Sequence, residues 1–148
     1  MPKSLWDAAA RQEVLGRLKL LEPNATARWG SMSAPQMLAH CLDWMHMTSG
    51  ELATEPRNNF LRFTLVKQLA IYWLPFPKGV PTAPELIARQ PVDWGDEHAA
   101  LCGCVESFDQ FRSRSDWPVH PAFGTLTPRA WGVLGYRHLD HHLRQFGV

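Results

Sequence analysis

Apolar residues recur at helical spacing in four stretches of the chain, each opened by a recognisable start signal. Trp6, Ala10, Val14, Leu18 and Leu21 fall on one side of a helix predicted over 6–21, with Arg11, Glu13, Arg17 and Lys19 filling much of the rest. Glu22-Pro23-Asn24 stops it. Ser33-Ala34-Pro35-Gln36 has the form of a capping box with proline in the first turn. It starts a second predicted helix that runs to about Leu52, with Met37, His40, Cys41, Trp44, Met45 and Thr48 on one face. Asp93-Trp94-Gly95-Asp96 caps a third over 93–114, whose stripe is Ala100, Leu101, Cys104, Phe108 and Phe111. Thr127, followed by Pro128 at the first helical position, opens the last helix, which ends at Gly147.

A long stretch, about 53–93, separates the second and third of these helices. It holds the apolar run from Asn59 to Leu74 and then Pro75, Pro77, Pro81 and Pro84. A structureless loop of that length is out of keeping with a compact domain, so a helix of its own plus a connector is expected. Arg62 and Lys67 interrupt the Phe60–Phe76 segment and Pro75 ends it, which argues against a membrane span. Its expected place is over the bundle or in a homodimer interface, with a lid over a substrate pocket second. No β-type alternation or internal repeat is present. The expected fold is therefore all-α: one domain over 1–148, a four-helix bundle with a long crossover carrying an extra helix between helices 2 and 3.

Composition adds exclusions. The 148 residues are 45% hydrophobic and 20% charged, an ordinary globular balance that supports a buried core. Fifteen basic against fourteen acidic side chains leave a formal charge of +1, so no nucleic-acid footprint or polybasic membrane patch is expected. Three cysteines, an odd number, and the lack of an apolar run in Met1–Glu13 point to a reducing cytoplasm.

The candidate chemistry lies in the histidines. His138 and His142 are four apart on the last predicted helix, so their rings project from one face about 5–6 Å apart. Two neutral imidazoles so placed can reach one divalent ion at roughly 2.0–2.1 Å. His141, three residues from His138, is an alternative ligand. The competing reading is a solvated helix end whose histidines favour the C-terminal dipole. His40 shifts the balance, because it sits on a helix face among Met37, Cys41 and Trp44, where a lone polar ring needs a partner; taken alone, the favoured partner is a backbone carbonyl in the core.

These residues carry a resemblance. Trp29-Gly30 with Met32, Gln36-Met37-Leu38 with His40, His120-Pro121 with Phe123-Gly124, and His138 with His141-His142 and Gln145-Phe146-Gly147 resemble the DinB/YfiT-like superfamily. The closest likeness is to a bacterial branch marked by HPxFG and HHxxQFG blocks. The resemblance spans nearly the whole chain. It implies a four-helix bundle in up-down-down-up order with a metal, usually zinc or nickel, held between helices. The superfamily's helix-2 histidine maps onto His40, and its C-terminal HxxxH onto His138 and His142. Some members are transferases or isomerases acting with low-molecular-weight thiols, which implies a small-molecule substrate.

Three neutral imidazoles leave a divalent ion with an open position, able to acidify water or hold a thiol as thiolate. The expected activity is thus thiol S-transfer first and metal-assisted hydrolysis second; the rival is a non-catalytic metal or small-ligand binding protein. Gln36 and Asp43, one turn either side of His40, are candidate acceptors for a ligand N–H, or else capping and surface groups. Gln145 is one turn beyond His142 and within reach of the pocket. Asp140 points away from the His138–His142 face and is expected in solvent. His120 either belongs to a rigid turn that plugs Phe123 into the core or stands near the metal entrance as an acid or base. Cys102 and Cys104, two apart on a helix, face differently and do not form a metal site; Cys104 is expected in the core.

Overall fold

The computed structural model describes residues 1–148 and is all-helical. Its α-helices are α1 (Ala8–Leu18), α2 (Ala34–Ser49), α3 (Thr64–Tyr72), α4 (Trp94–Glu106) and α5 (Pro128–Gln145). Short 3₁₀ turns occupy Phe60–Arg62, Pro84–Leu86 and Ser107–Ser113.

The start signals act as their chemistry demands. Ser33 Oγ accepts from the Gln36 backbone N–H while Gln36 Oε1 accepts from the Ser33 N–H, a reciprocal capping box. Asp93 caps the Asp96 N–H, and Thr127 caps that of Ala130 ahead of Pro128. The helix ends come earlier than periodicity implies. α1 stops at Leu18 rather than Leu21, and α2 stops at Ser49, where Gly50 adopts a left-handed φ of 89°. The Arg114 guanidinium then donates to the freed carbonyls of Thr48 and Ser49 at 3.1 and 2.8 Å. The helix predicted over 93–114 is α only to Glu106 and tightens into 3₁₀ geometry, with Ser107 Oγ bonded back to the Gly103 carbonyl. Its buried stripe is also shifted, to Glu97, Leu101, Val105 and Phe108; Ala100 is exposed, and Cys104 and Phe111 are only half-buried.

α1 and α2 each pack against both α4 and α5, and α3 lies against α5. The buried apolar side chains form one continuous cluster that includes Leu5, Val14, Leu18, Met37, Leu38, Met47, Leu101, Phe108, Trp131, Leu139 and Leu143. α2 is buried on nearly every side, including Asp43 and His40. No helix is long and apolar enough to cross a membrane. α3 buries only Ile71; Phe63, Leu65, Leu69 and Trp73 face outward.

α5 admits the N-terminal segment through two glycines. Leu5 N–H donates to the Gly132 carbonyl, and a Cβ on Gly132 would collide with the Trp6 indole and Ser4 Oγ. A Cβ on Gly135 would come within 2.7 Å of Leu5 and 3.2 Å of Trp44. Gly132→Ala should therefore destabilise the fold by about 1–3 kcal/mol through overpacking, although alanine alone favours a helix by about 1 kcal/mol. The urea unfolding midpoint reads the sign; an unchanged or higher midpoint would refute the close approach.

Candidate metal centre

His40 comes from the middle of α2, His138 and His142 from the last two turns of α5, and the three rings meet face to edge. Their centroids form a near-equilateral triangle with sides of 4.9, 4.8 and 4.8 Å. One ring nitrogen from each lies within 4.8 Å of the others. His40 and His142 are buried; His138 is half-buried as a residue, but its Nδ1 is shut off from solvent. Trp44 stacks on His138 at 5.1 Å and closes one side.

The outer nitrogens fix which inner nitrogens are bare. His40 Nδ1 lies 2.9 Å from the Leu86 carbonyl, which can only accept, so the proton sits on Nδ1 and Nε2 keeps its lone pair. Gln145 Nε2 donates to the Trp29 carbonyl at 2.8 Å, which turns Oε1 toward His142 Nδ1, also at 2.8 Å. His142 therefore carries its proton on Nδ1 as well. His40 Nε2 and His138 Nε2 approach to 2.9 Å. If His138 donates across that contact, its buried Nδ1 lone pair meets no donor. With its proton on Nδ1 instead, the bare Nε2 atoms of His40 and His138 face each other, and a cation relieves the repulsion. His138 Nδ1 has no protein partner in either state.

Burial holds the cluster neutral. It lowers the His40 imidazole, against weaker raising effects from the Leu86 carbonyl and Asp43. Burial and then the neighbouring His142 and His40 push His138 well below its usual range. His142 falls to about 3, from burial first and His40 second. Neutral imidazoles with outer N–H groups anchored on carbonyl oxygens are a donor set that divalent transition metals accept, so the residues fit such an ion.

The remaining candidates sort differently. His141 is not one of the three converging rings; it lies against His142 at 5.2 Å, half-buried beside Trp29 and Phe76 at ring separations of 5.5 and 5.9 Å. Gln36 is committed to its capping box, although it lines a cavity of about 280 Å³ beside His40. Asp43 is neither a surface group nor an acceptor for a histidine. It is buried and takes the Arg89 guanidinium at 3.0 Å, which also binds Glu97. Asp140 is not free in solvent; Arg17 holds it at 2.7 Å and Arg144 at 3.1 Å. His120 is buried in the turn before α5, its Nδ1 accepting the Ala122 and Phe123 N–H groups at 3.2 Å each, with Phe123 in the core. Cys41 and the half-buried Cys102 and Cys104 are free thiols, and burial raises the Cys41 thiol far above its usual range.

A family described as "Protein of unknown function (DUF1569)" matches residues 3–147. The chain belongs to the DUF1569 family. Comparison with curated proteins and with solved structures gave no match. The match places the chain in DUF1569 without assigning chemistry. Three site partners escaped the sequence reading: the Leu86 carbonyl, the Trp29 carbonyl and Arg89. The first two are backbone atoms and carry no residue-type signal. Arg89 had one, a lone cation at the end of the proline-rich connector.

Burial also lowers His120, to about 3. Because the unfolded ring titrates near 6.5, the unfolded state takes up its proton first as pH falls. The stabilisation is fully present above pH 6.5 and lost progressively toward pH 3, at about 1.4 kcal/mol per pH unit for each such histidine. In metal-free protein, His120→Asn should flatten the decline of unfolding free energy between about pH 6 and 4 by one such increment. Parallel wild-type and variant profiles from urea melts would contradict the buried neutral state.

Proposed function

We propose that this DUF1569 chain is a metal-dependent protein of the DinB/YfiT-like four-helix-bundle type, with His40, His138 and His142 as the metal ligands. The observation that carries the reading is the convergence of three neutral imidazoles from two helices, two of them oriented by carbonyl oxygens on their outer nitrogens. The packing of α1 and α2 against both α4 and α5 supports the bundle, with α3 on the crossover between α2 and α4. A divalent ion there, zinc or nickel, would supply Lewis acidity toward water or a thiol. Leu86 and Gln145 orient the imidazoles and keep their inner nitrogens unprotonated. Trp44 and Trp131 exclude water from one side, while the cavity beside His40, between Met32 and Ile87, gives a small molecule access.

The reaction proposed is transfer of a low-molecular-weight thiol onto an electrophile, its sulfur bonding to the electrophilic carbon as the leaving group departs and the thiol proton passes to solvent, with metal-assisted hydrolysis second, in a cytoplasmic enzyme. The exposed apolar face of α3 makes a homodimer part of the proposal. A non-catalytic role is favoured by one observation, the 2.9 Å His40–His138 contact, which serves as a hydrogen bond without any ion.

Elemental analysis of protein purified without an affinity tag should find about one equivalent of zinc or nickel, directly or after incubation with either. Less than about a tenth of an equivalent would refute the metal centre. His138→Ala should abolish binding, whereas His98→Ala, whose ring bonds the Leu18 carbonyl instead, should not. Gln145→Ala should weaken metal affinity about 10–100-fold in a competitive chelator titration. Metal-dependent turnover in a panel of thiols and electrophiles separates the enzyme from the binding protein.

A further inference from the structure

A second cavity, of about 440 Å³, opens on the outer side of His141. Its lining brings together Arg28, Lys78, Arg137 and Arg144 against the single carboxylate of Asp140. That gathering is unusual in a chain whose overall charge is +1, and the cations come from three separate parts of it. Arg137 is pinned, its guanidinium donating to the carbonyls of Ala70, Ile71 and Leu74 at the end of α3 and lying 4.8 Å from the centre of Phe76. Lys78 sits 4.3 Å over Trp29. Asp140 is already held by Arg17, which lies outside the cavity, so it neutralises Arg144 only in part. The Arg28 side chain makes no ion pair or hydrogen bond, although its backbone N–H is fixed on the Gln145 carbonyl at 2.7 Å. The cavity therefore combines fixed and free positive charge with the aromatic faces of Trp29 and Phe76.

We propose that this cavity binds a small organic oxyanion, a phosphate ester or carboxylate with a planar apolar part. Guanidinium and ammonium groups take the oxyanion, the first in a forked geometry. Trp29 and Phe76 take the planar part, while their paired cations hold the rings in place. Recognition here does not rest on an ion at His40, His138 and His142. The two sites are nevertheless joined, because the Arg28–Trp29 backbone and His142 are held by the same Gln145 side chain and carbonyl.

Isothermal titration of chelator-treated full-length protein with phenyl phosphate, benzoate and benzyl alcohol tests the site. One equivalent of phenyl phosphate or benzoate should bind saturably and at least about tenfold more tightly than the neutral alcohol. Which anion binds better separates a phosphate ester from a carboxylate as the natural group. Affinity should fall as salt is raised. Arg28→Gln combined with Lys78→Gln should weaken it at least about tenfold, with an unchanged urea midpoint showing that the fold persists. His138→Ala should leave it intact, which distinguishes failure of this site from failure of the metal centre. Absence of saturable binding by both anions, equal affinity for the alcohol, salt-independent binding, or full affinity in the folded double variant would overturn the proposal.

Discussion

The constraint on which the rest of the molecule depends is the burial of imidazoles in a core that supplies no carboxylate to them. A buried ring nitrogen must be matched or it costs several kcal/mol. Two of the three outer nitrogens are matched by neutral oxygens, His40 Nδ1 by the distant Leu86 carbonyl and His142 Nδ1 by the Gln145 amide one turn away, itself held by the Trp29 carbonyl, while His138 Nδ1 meets no protein partner. Leu86 is carried over α2 by the proline-rich connector, and Trp29 is brought to the end of α5 by the loop before α2. The Leu86 segment is therefore positioned by His40 as much as His40 is positioned by it, whereas the Trp29 segment acts on His142 through Gln145. Asp43, the acid nearest to His40 along α2, is held by Arg89, which leaves no carboxylate hydrogen-bonded to the cluster.

Arginines do much of the remaining tethering. Arg89 bridges Asp43 of α2 and Glu97 of α4 and so clamps the connector where Leu86 must point at His40. Arg114 closes the end of α2, and Arg137 closes the end of α3. Arg17 ties α1 to Asp140 and to the Val148 carbonyl. Arg114 and Arg137 satisfy carbonyls that the helix ends leave open, while Arg89 and Arg17 neutralise acidic side chains on neighbouring helices. Connectors held in this way need little regular structure of their own.

What the sequence made legible was local. Ser33 with Gln36, Asp93, and Thr127 with Pro128 announce helix starts because a cap and its partner lie within one turn. The His138–His142 pair was readable because helical periodicity puts both rings on one face; its relation to His40, on another helix, was implied only by the family resemblance. Helix ends were less readable: Leu21, Leu52 and Arg114 continue an apolar rhythm that the backbone abandons at Leu18, Ser49 and Glu106. Those stops depend on a left-handed glycine and on side chains from elsewhere. The role of Asp43 was missed because its partner is 46 positions away. The orienting carbonyls of Leu86 and Trp29 had no signal at all, since any residue carries one.

The stacking of Trp44 on His138 has an optical consequence. Trp44 also meets Trp131 at 5.9 Å, Trp131 stacks on Trp117 at 5.8 Å, and Trp117 meets Trp6 at 6.0 Å. Indoles so close exchange excitation, so energy absorbed by any one of them is shared along this row. Its innermost ring lies against an imidazole of the triad. The protein thus carries its own lamp, and the colour and brightness of its ultraviolet emission report on whatever occupies the space between α2 and α5.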